Sequence, residues 1–356
     1  MTKTAGRWSR CTLLCLSLAC GAARTPPAQQ ALAGSNSCAA CHKREYLSQI
    51  KTPMGRAMER VADCGILQEH PSLSFRQGIY AYRIERKNTQ SLYTVTDGKD
   101  TITVPIEYAF GLGKAGQTYI FEREGKMYES RVSFYEALNG LDLTMGARNL
   151  APENLEEAAG RLMDRHSAGD CFGCHTTSSN LDGFRKPEEL TAGVACERCH
   201  GPALAHVEGF RNGKPVLMKS LSGLSTEELS DFCGQCHRTW AQIAADGPHD
   251  INNVRFQPYR LANSKCYDPS DKRIACTACH NVHEDLVISD SFYDRKCLAC
   301  HAAGTRTAAK RLAGNCPVGT RACVSCHMPK LELPGSHYRF TDHRIRIARA
   351  GAAYPD

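Results

Sequence analysis

Seven times the chain writes Cys-x-x-Cys-His: at Cys38, Cys41 and His42; Cys171, Cys174 and His175; Cys196, Cys199 and His200; Cys233, Cys236 and His237; Cys276, Cys279 and His280; Cys297, Cys300 and His301; and Cys323, Cys326 and His327. This pentapeptide attaches a c-type haem: two thiols bond the porphyrin vinyl groups, and the adjoining imidazole reaches the iron as proximal ligand. Zinc ribbons and thioredoxin-like sites also use C-x-x-C, but neither requires His in the next position. Every C-x-x-C pair here carries it, although His makes up only 14 of 356 residues. The expected cofactor is therefore heme c, seven copies, covalently attached.

Such a load shapes the rest of the reading. Motif one stands alone, residues 43–170 pass without another, and six motifs follow between Cys171 and His327. Their starts lie 25, 37, 43, 21 and 26 residues apart, which leaves little chain between neighbouring haems. The expected fold class is a multihaem cytochrome c of mostly short α-helices and loops packed around haems, with a small antiparallel β insert. The expected divisions are a signal peptide at 1–33, an N-terminal single-haem segment at 34–71, the β-rich insert at 72–145 and a six-haem domain at 146–356.

The leader reading rests on basic Lys3, Arg7 and Arg10, a short apolar run from Cys11 to Ala19, and small-residue cleavage sites at Ala31-Leu32-Ala33 or Gly21-Ala22-Ala23. The run is too short to span a membrane, and no later stretch in the sequence approaches the length needed, so no transmembrane segment is expected. Export to the periplasm or the exterior follows, and Cys20 is a candidate lipid anchor. The formal charge of +7 does not argue for nucleic acid. Four positive residues (Lys3, Arg7, Arg10, Arg24) and no acid lie in the leader, which leaves +3. Each ferric haem with ionised propionates then adds about −1, so the loaded protein is acidic. Outside the motifs and leader remain Cys64, Cys266 and Cys316; a disulfide is permitted there, with Cys266–Cys316 the preferred pair and buried free thiols the alternative.

Alternation predicts strands at Ile79–Ile84, Leu92–Thr96, Thr101–Tyr108, Thr118–Phe121 and Met127–Phe134, with turns at Asp97-Gly98 and Glu124-Gly125. Pro152–His166 reads as a helix whose apolar face carries Leu155, Ala159, Leu162, Met163 and His166. Ser225-Thr-Glu-Glu228 is a capping box leading a helix into motif four, and Ser289 or Asp290 starts one that ends in motif six.

A six-coordinate haem needs a distal ligand too. Seven His lie outside the motifs: His70, His166, His206, His249, His283, His337 and His343. The count matches seven haems and predicts mostly bis-His ligation, with Met54 a thioether alternative at the first haem; bis-His haems sit at lower potential than His/Met haems. His283 stands too near His280 to reach the far side of its own haem, and so is expected to ligate a neighbour.

Gly193-Val-Ala-Cys-Glu-Arg-Cys-His-Gly-Pro202 followed by His206, Cys276-Thr-Ala-Cys-His-Asn-Val-His283, and Cys323-Val-Ser-Cys-His-Met-Pro-Lys330 with Phe340-Thr-Asp-His-Arg344 resemble the cytochrome c-554-like multihaem cytochromes. The resemblance spans motif one and about residues 166–345. It implies a haem-wire architecture in which His206 and His283 serve as distal ligands. Relatives often carry His in the segment that holds Met54, so the chain departs there.

The expected function is electron relay between unidentified redox partner proteins, with no catalytic residues assigned, since no nucleophilic triad, paired-carboxylate signature or nucleotide loop appears. Two alternatives stand beside it. One is a multihaem oxidoreductase of nitrite, hydroxylamine or tetrathionate type with one open haem, where His249 or His70 would serve as base. The other is a subunit of an extracellular cytochrome filament or another oligomeric complex.

Overall fold

A computed structural model describes residues 31–178, 190–302, 316, 318–349 and 351–356. The leader up to residue 30, with Cys20, lies outside the described residues. Nine strands form one antiparallel sheet: β1 Met58–Arg60, β2 Ser72–Gln77, β3 Tyr80–Lys87, β4 Gln90–Thr96, β5 Thr101–Phe110, β6 Gln117–Arg123, β7 Lys126–Tyr135, β8 Gly140–Leu143 and β9 Gly160–Leu162. Strands β2 to β8 pair in chain order as a meander, β1 pairs with β5, and β9 pairs with β7. Edge strands β2 and β8 pack against each other, so the sheet curls nearly into a barrel. The small insert expected from the sequence is thus corrected to a large sheet drawing on residues 58–162.

The alternation that predicted strands is the alternation that fills this sheet. Tyr82 and Ile84 on β3, Tyr93 and Val95 on β4, Val104 and Ile106 on β5, Tyr119 and Phe121 on β6 and Val132 and Phe134 on β7 point into one core. Intervening residues such as Thr101, Thr103 and Glu107 face solvent. Glu124 (φ 54°) and Gly125 (φ 72°) turn β6 into β7 in a two-residue hairpin, where positive φ at both positions matches the strand twist.

A second apolar cluster lies on the other face. Met58, Tyr108, Phe110, Ile120 and Met163 pack on Ala168 and Phe172 of the helix Arg165–His175, which carries motif two. Phe172 meets Tyr108 and Phe110 edge-on at 5.3 and 5.1 Å. The sheet is therefore docked onto motif two rather than standing apart from the motifs.

The helix expected over Pro152–His166 is broken in two. Asn154 caps a short helix Leu155–Ala159, the chain then runs extended through β9, and a new helix starts at Arg165 with Asp164 as cap. Gly160 pairs with Ser130 so closely that a Cβ there would lie 2.4 Å from the Glu129 carbonyl oxygen. Gly is already unfavourable inside a helix by about 1 kcal/mol, and pairing with β7 takes the segment instead. Leu162 and His166, assigned to an apolar face, are both exposed. The two capped helices stand as read: Ser225 and Glu228 cap Thr226–His237 reciprocally, and Ser289 caps Asp290–His301. A small ladder, β10 Lys330–Glu332 with β11 Arg339–Thr341, follows the last motif. Among the described residues, no helix is long and apolar enough to cross a membrane.

Candidate haem-binding array

All seven motifs lie in helical turns or at helix ends. Motif one starts in Ser35–Ala39; motifs two, four and six end the helices Arg165–His175, Thr226–His237 and Asp290–His301; motifs three, five and seven form short helices at Cys196–His200, Cys276–Cys279 and Cys323–His327. One helical turn between the cysteines puts both sulfurs on the same side, so that they can reach one macrocycle edge.

Acids tie the motifs to one another, two of them buried. The carboxylate of Glu197, inside motif three, accepts hydrogen bonds from the amides of Ala33 (2.8 Å), Gly34 (3.0 Å) and Ala203 (2.8 Å), tying the segment before motif one to motif three. Asp294, inside the motif-six helix, accepts from the amides of Ala322 and Cys323 at 2.8 Å each, at the start of motif seven. Arg238 donates to Asp170 at 2.8 Å, joining the end of motif four to motif two. Gly193 (φ +71°) lets the entry to motif three lie on the motif-one segment: a Cβ there would fall 1.9 Å from the Gly55 carbonyl oxygen.

Two imidazole pairs have the spacing a haem iron needs. His200 of motif three and His283 lie 6.1 Å apart between ring centres with planes inclined by only 5°. His280 of motif five and His343 lie 6.2 Å apart, inclined by 44°. Two metal–imidazole bonds of about 2 Å, plus about 1 Å from each nitrogen to its ring centre, total roughly 6 Å. The residues therefore fit the prosthetic group that the motifs imply.

The ring chemistry agrees. Nδ1 of His175 lies 2.8 Å from the Ala57 carbonyl oxygen, Nδ1 of His237 3.2 Å from Oε1 of Gln257, and Nδ1 of His327 3.1 Å from the Arg346 carbonyl oxygen. Nδ1 of His206 is held by the Val216 carbonyl (2.7 Å), Nδ1 of His343 by that of Thr341 (3.0 Å) and Nδ1 of His249 by the Asp356 carboxylate (2.8 Å). Holding Nδ1 fixes the ring and leaves Nε2 for a metal. Burial lowers the proton affinity of His175, His200, His237 and His280, and pushes His343 down to about 4. All are thereby neutral near pH 7, the form that binds a metal.

The other candidates sit differently. His337 has its Nε2 2.8 Å from Oδ2 of Asp142 and 3.2 Å from Arg148, and its ring packs edge-on against Tyr135 of the sheet. His70 packs on Phe134, also of the sheet, with ring centres 4.8 Å apart. His166 is exposed at the start of the motif-two helix, and Met54 lies half-buried in a turn whose carbonyl accepts from Val194. Cys266 and Cys316 are both free thiols, so the preferred disulfide is not formed, and Cys64 is a buried thiol within 3.2 Å of Oε1 of Gln117.

Sequence reasoning missed Glu197 and Asp294. Their signal was an acid placed inside or one turn before a haem motif, where a neutral residue would pack as well. It also missed Arg260, fully buried with Asp342 at 2.9 and 3.0 Å beside His343.

Comparison with known proteins points to the class of protein that the motifs imply. The family described as cytochrome c554 and c-prime matches residues 144–201, and that described as cytochrome c3 matches residues 188–302. The multiheme cytochrome MtrA of Shewanella baltica is 27% identical over 172 residues, 46% of this chain and 46% of that protein. The C-type polyheme cytochrome OmcC of Geobacter sulfurreducens is 25% identical over 124 residues, 33% of this chain and 14% of that protein. The chain thus spans less than half the length of either relative. No solved structure matches it. The chain is a multihaem c-type cytochrome. Proteins of this class hold covalently bound heme c and pass electrons to redox partners.

Proposed function

We propose that this is an exported carrier that holds seven haems and relays electrons between redox proteins, most irons being bis-His ligated. A bound haem supplies one-electron exchange between ferric and ferrous iron; the chain supplies spacing, ligand identity and exclusion of water. The observation that carries the reading is the pair of imidazole spacings. His283, from the segment after motif five, faces His200 of motif three, and His343, from beyond motif seven, faces His280 of motif five. Each pair would bind one haem between two distant parts of the chain, fastening neighbouring haems into a single array. His206 and His249, with Nδ1 held, are ligands of the same kind, and His166 joins them from the motif-two helix. Periplasmic or extracellular residence follows from the leader, with Cys20 as the point of any lipid anchor.

The test is intact mass of the mature protein, for seven haems, with stopped-flow reduction and reoxidation. Rapid cycling of all haems without a consumed substrate supports a carrier. Fewer haems, or slow reduction of most of them, refutes it.

One observation favours the second reading, an oxidoreductase with an open haem. With the Nε2 of His337 engaged by Asp142, six of the seven spare histidines remain as ligands for the seven irons that the motifs imply. Met54 or an exchangeable water completes the set. Turnover of nitrite or hydroxylamine, with a high-spin ferric signal in the native protein, would decide for the enzyme.

A further inference from the structure

Three arginines stand around the segment that packs on the motif-four helix, and two of them have their charge answered. The short 3-10 helix Ile251–Arg255 runs into the helix Gln257–Ala262, which lies against Thr226–His237. Arg238, just past His237, donates to Asp170 at 2.8 Å, and Arg260 clasps Asp342 at 2.9 and 3.0 Å. Arg255 has no such partner. Among the described residues, no carboxylate oxygen lies within 4.0 Å of its guanidinium.

Its surroundings do not suit a lone cation. Arg255 is half-buried, and its Nε is shut off from solvent without a hydrogen-bond partner. One terminal nitrogen lies 3.7 Å from the Met145 sulfur, a weak acceptor, and the guanidinium lies 5.2 Å from the Phe256 ring. Burial, and then the charge of Arg238, push its proton affinity below the ordinary arginine range. A desolvated cation is costly unless an anion meets it, and arginine keeps its proton in proteins. The site calls for a negative group that the described chain does not supply.

Position says which group that is. Gln257, two residues on, holds Nδ1 of His237 at 3.2 Å, so Arg255 stands beside the proximal ligand of motif four. A haem tied to Cys233 and Cys236 and ligated by His237 brings two propionates, the acids of the prosthetic group itself. Arginine takes a carboxylate through two parallel N–H donors, and the unpartnered Nε offers one of them. We propose that Arg255 anchors the motif-four haem, its guanidinium pairing with a propionate of that haem. This rests on the reading that motif four carries haem, and deepens it. A cation held there favours the more negative ferrous state, and so raises the potential of that haem above the value its ligands alone set.

The pairing is read directly in the parent holoprotein. A crystal structure of the loaded protein should place a propionate oxygen of the motif-four haem within hydrogen-bond distance of Arg255. A side-chain carboxylate, a solvent anion or another haem's propionate in that place would overturn the proposal. Redox titration, followed haem by haem through the haem-methyl resonances, supplies a second measurement. Arg255→Gln should raise the ferric-to-ferrous ratio of the motif-four haem about tenfold at fixed potential, the effect of a unit charge lost at about 10 Å through an effective dielectric constant of about 20. Arg255→Lys should keep most of the parent ratio. No shift in the glutamine variant, or equal shifts in the two, would refute the anchor, since a role in packing alone is blind to charge. A parent protein whose motif four carries no haem refutes the haem reading itself; a loaded motif four indifferent to Arg255 refutes the anchor alone.

Discussion

Arg260 clasps Asp342 through two hydrogen bonds of 2.9 and 3.0 Å, with neither side chain exposed to solvent. Arg260 also donates to Oδ1 of Asn253 and the Pro355 carbonyl and stacks 4.6 Å from the Tyr354 ring; Asp342 accepts in addition from the Arg344 amide. The pair fixes the backbone next to His343. Burial alone would raise the Asp342 carboxyl, but the hydrogen bonds and charge of Arg260 hold it below the usual carboxylate range. Replacing Arg260 by Ala should leave that buried carboxylate with Arg346 as its remaining ion partner, at a cost of about 1.5–3 kcal/mol, the scale of a lost hydrogen bond to a charged group. Denaturant unfolding of the holoprotein checks this. The double variant Arg260→Met, Asp342→Leu should recover most of the loss, and a double variant as unstable as the single would show that the charge pair is not the cause.

Removing His283 should open one iron. His283→Ala is expected to convert a single low-spin haem to high spin and to let it bind carbon monoxide, while the haem count by mass stays unchanged. His283→Met should keep that iron low-spin and raise its potential, since a thioether favours ferrous iron. A spectrum indistinguishable from the parent protein in both variants would refute the pairing of His283 with His200.

His337→Asn should behave oppositely. Its ring bridges the last segment to Asp142 and Arg148 of the sheet side, so the substitution should lower stability by about 1–2 kcal/mol, the scale of a lost charge-assisted hydrogen bond. Electron spin resonance should show no new high-spin iron. Appearance of one would restore His337 to the ligand set and close the count of seven.

Glu197→Ala removes the acceptor of three amides at once. Each buried amide left unsatisfied costs about 1–3 kcal/mol, so the segment before motif one should detach. Limited proteolysis is expected to cut first near residues 31–36, well before the sheet is touched. Unchanged protection there would show that other contacts, such as the Gln49 amide on the Val194 carbonyl, suffice.

Much of the site was legible because its information is local. Five residues in a row define an attachment motif, and a Ser-x-x-Glu box before Cys233 announces the helix that carries it. Strands of seven to ten residues, such as β4 and β5, show their period plainly. The three-residue strands β1 and β9 are too short to show any, and β9 competed with a respectable helical pattern until pairing with β7 decided it. The curl that brings β2 against β8 is a relation between residues some seventy apart. Counting histidines named a pool without saying what each one faces: His337 and His343 look alike in the sequence, yet one meets a carboxylate and the other an imidazole.

The bonds from Ala33 and Gly34 to Glu197 span 164 and 163 positions. Strands β2 to β8 pair with their immediate neighbours, so the sheet can assemble from chain already synthesised, whereas the opening segment waits for motif three to emerge before it has anywhere to rest. Nearby contacts form faster than remote ones. On the carrier reading, the first haem is thus carried as a tethered passenger through much of biogenesis, and whatever machinery attaches it meets a motif packed on the helix that follows it but not yet on motif three.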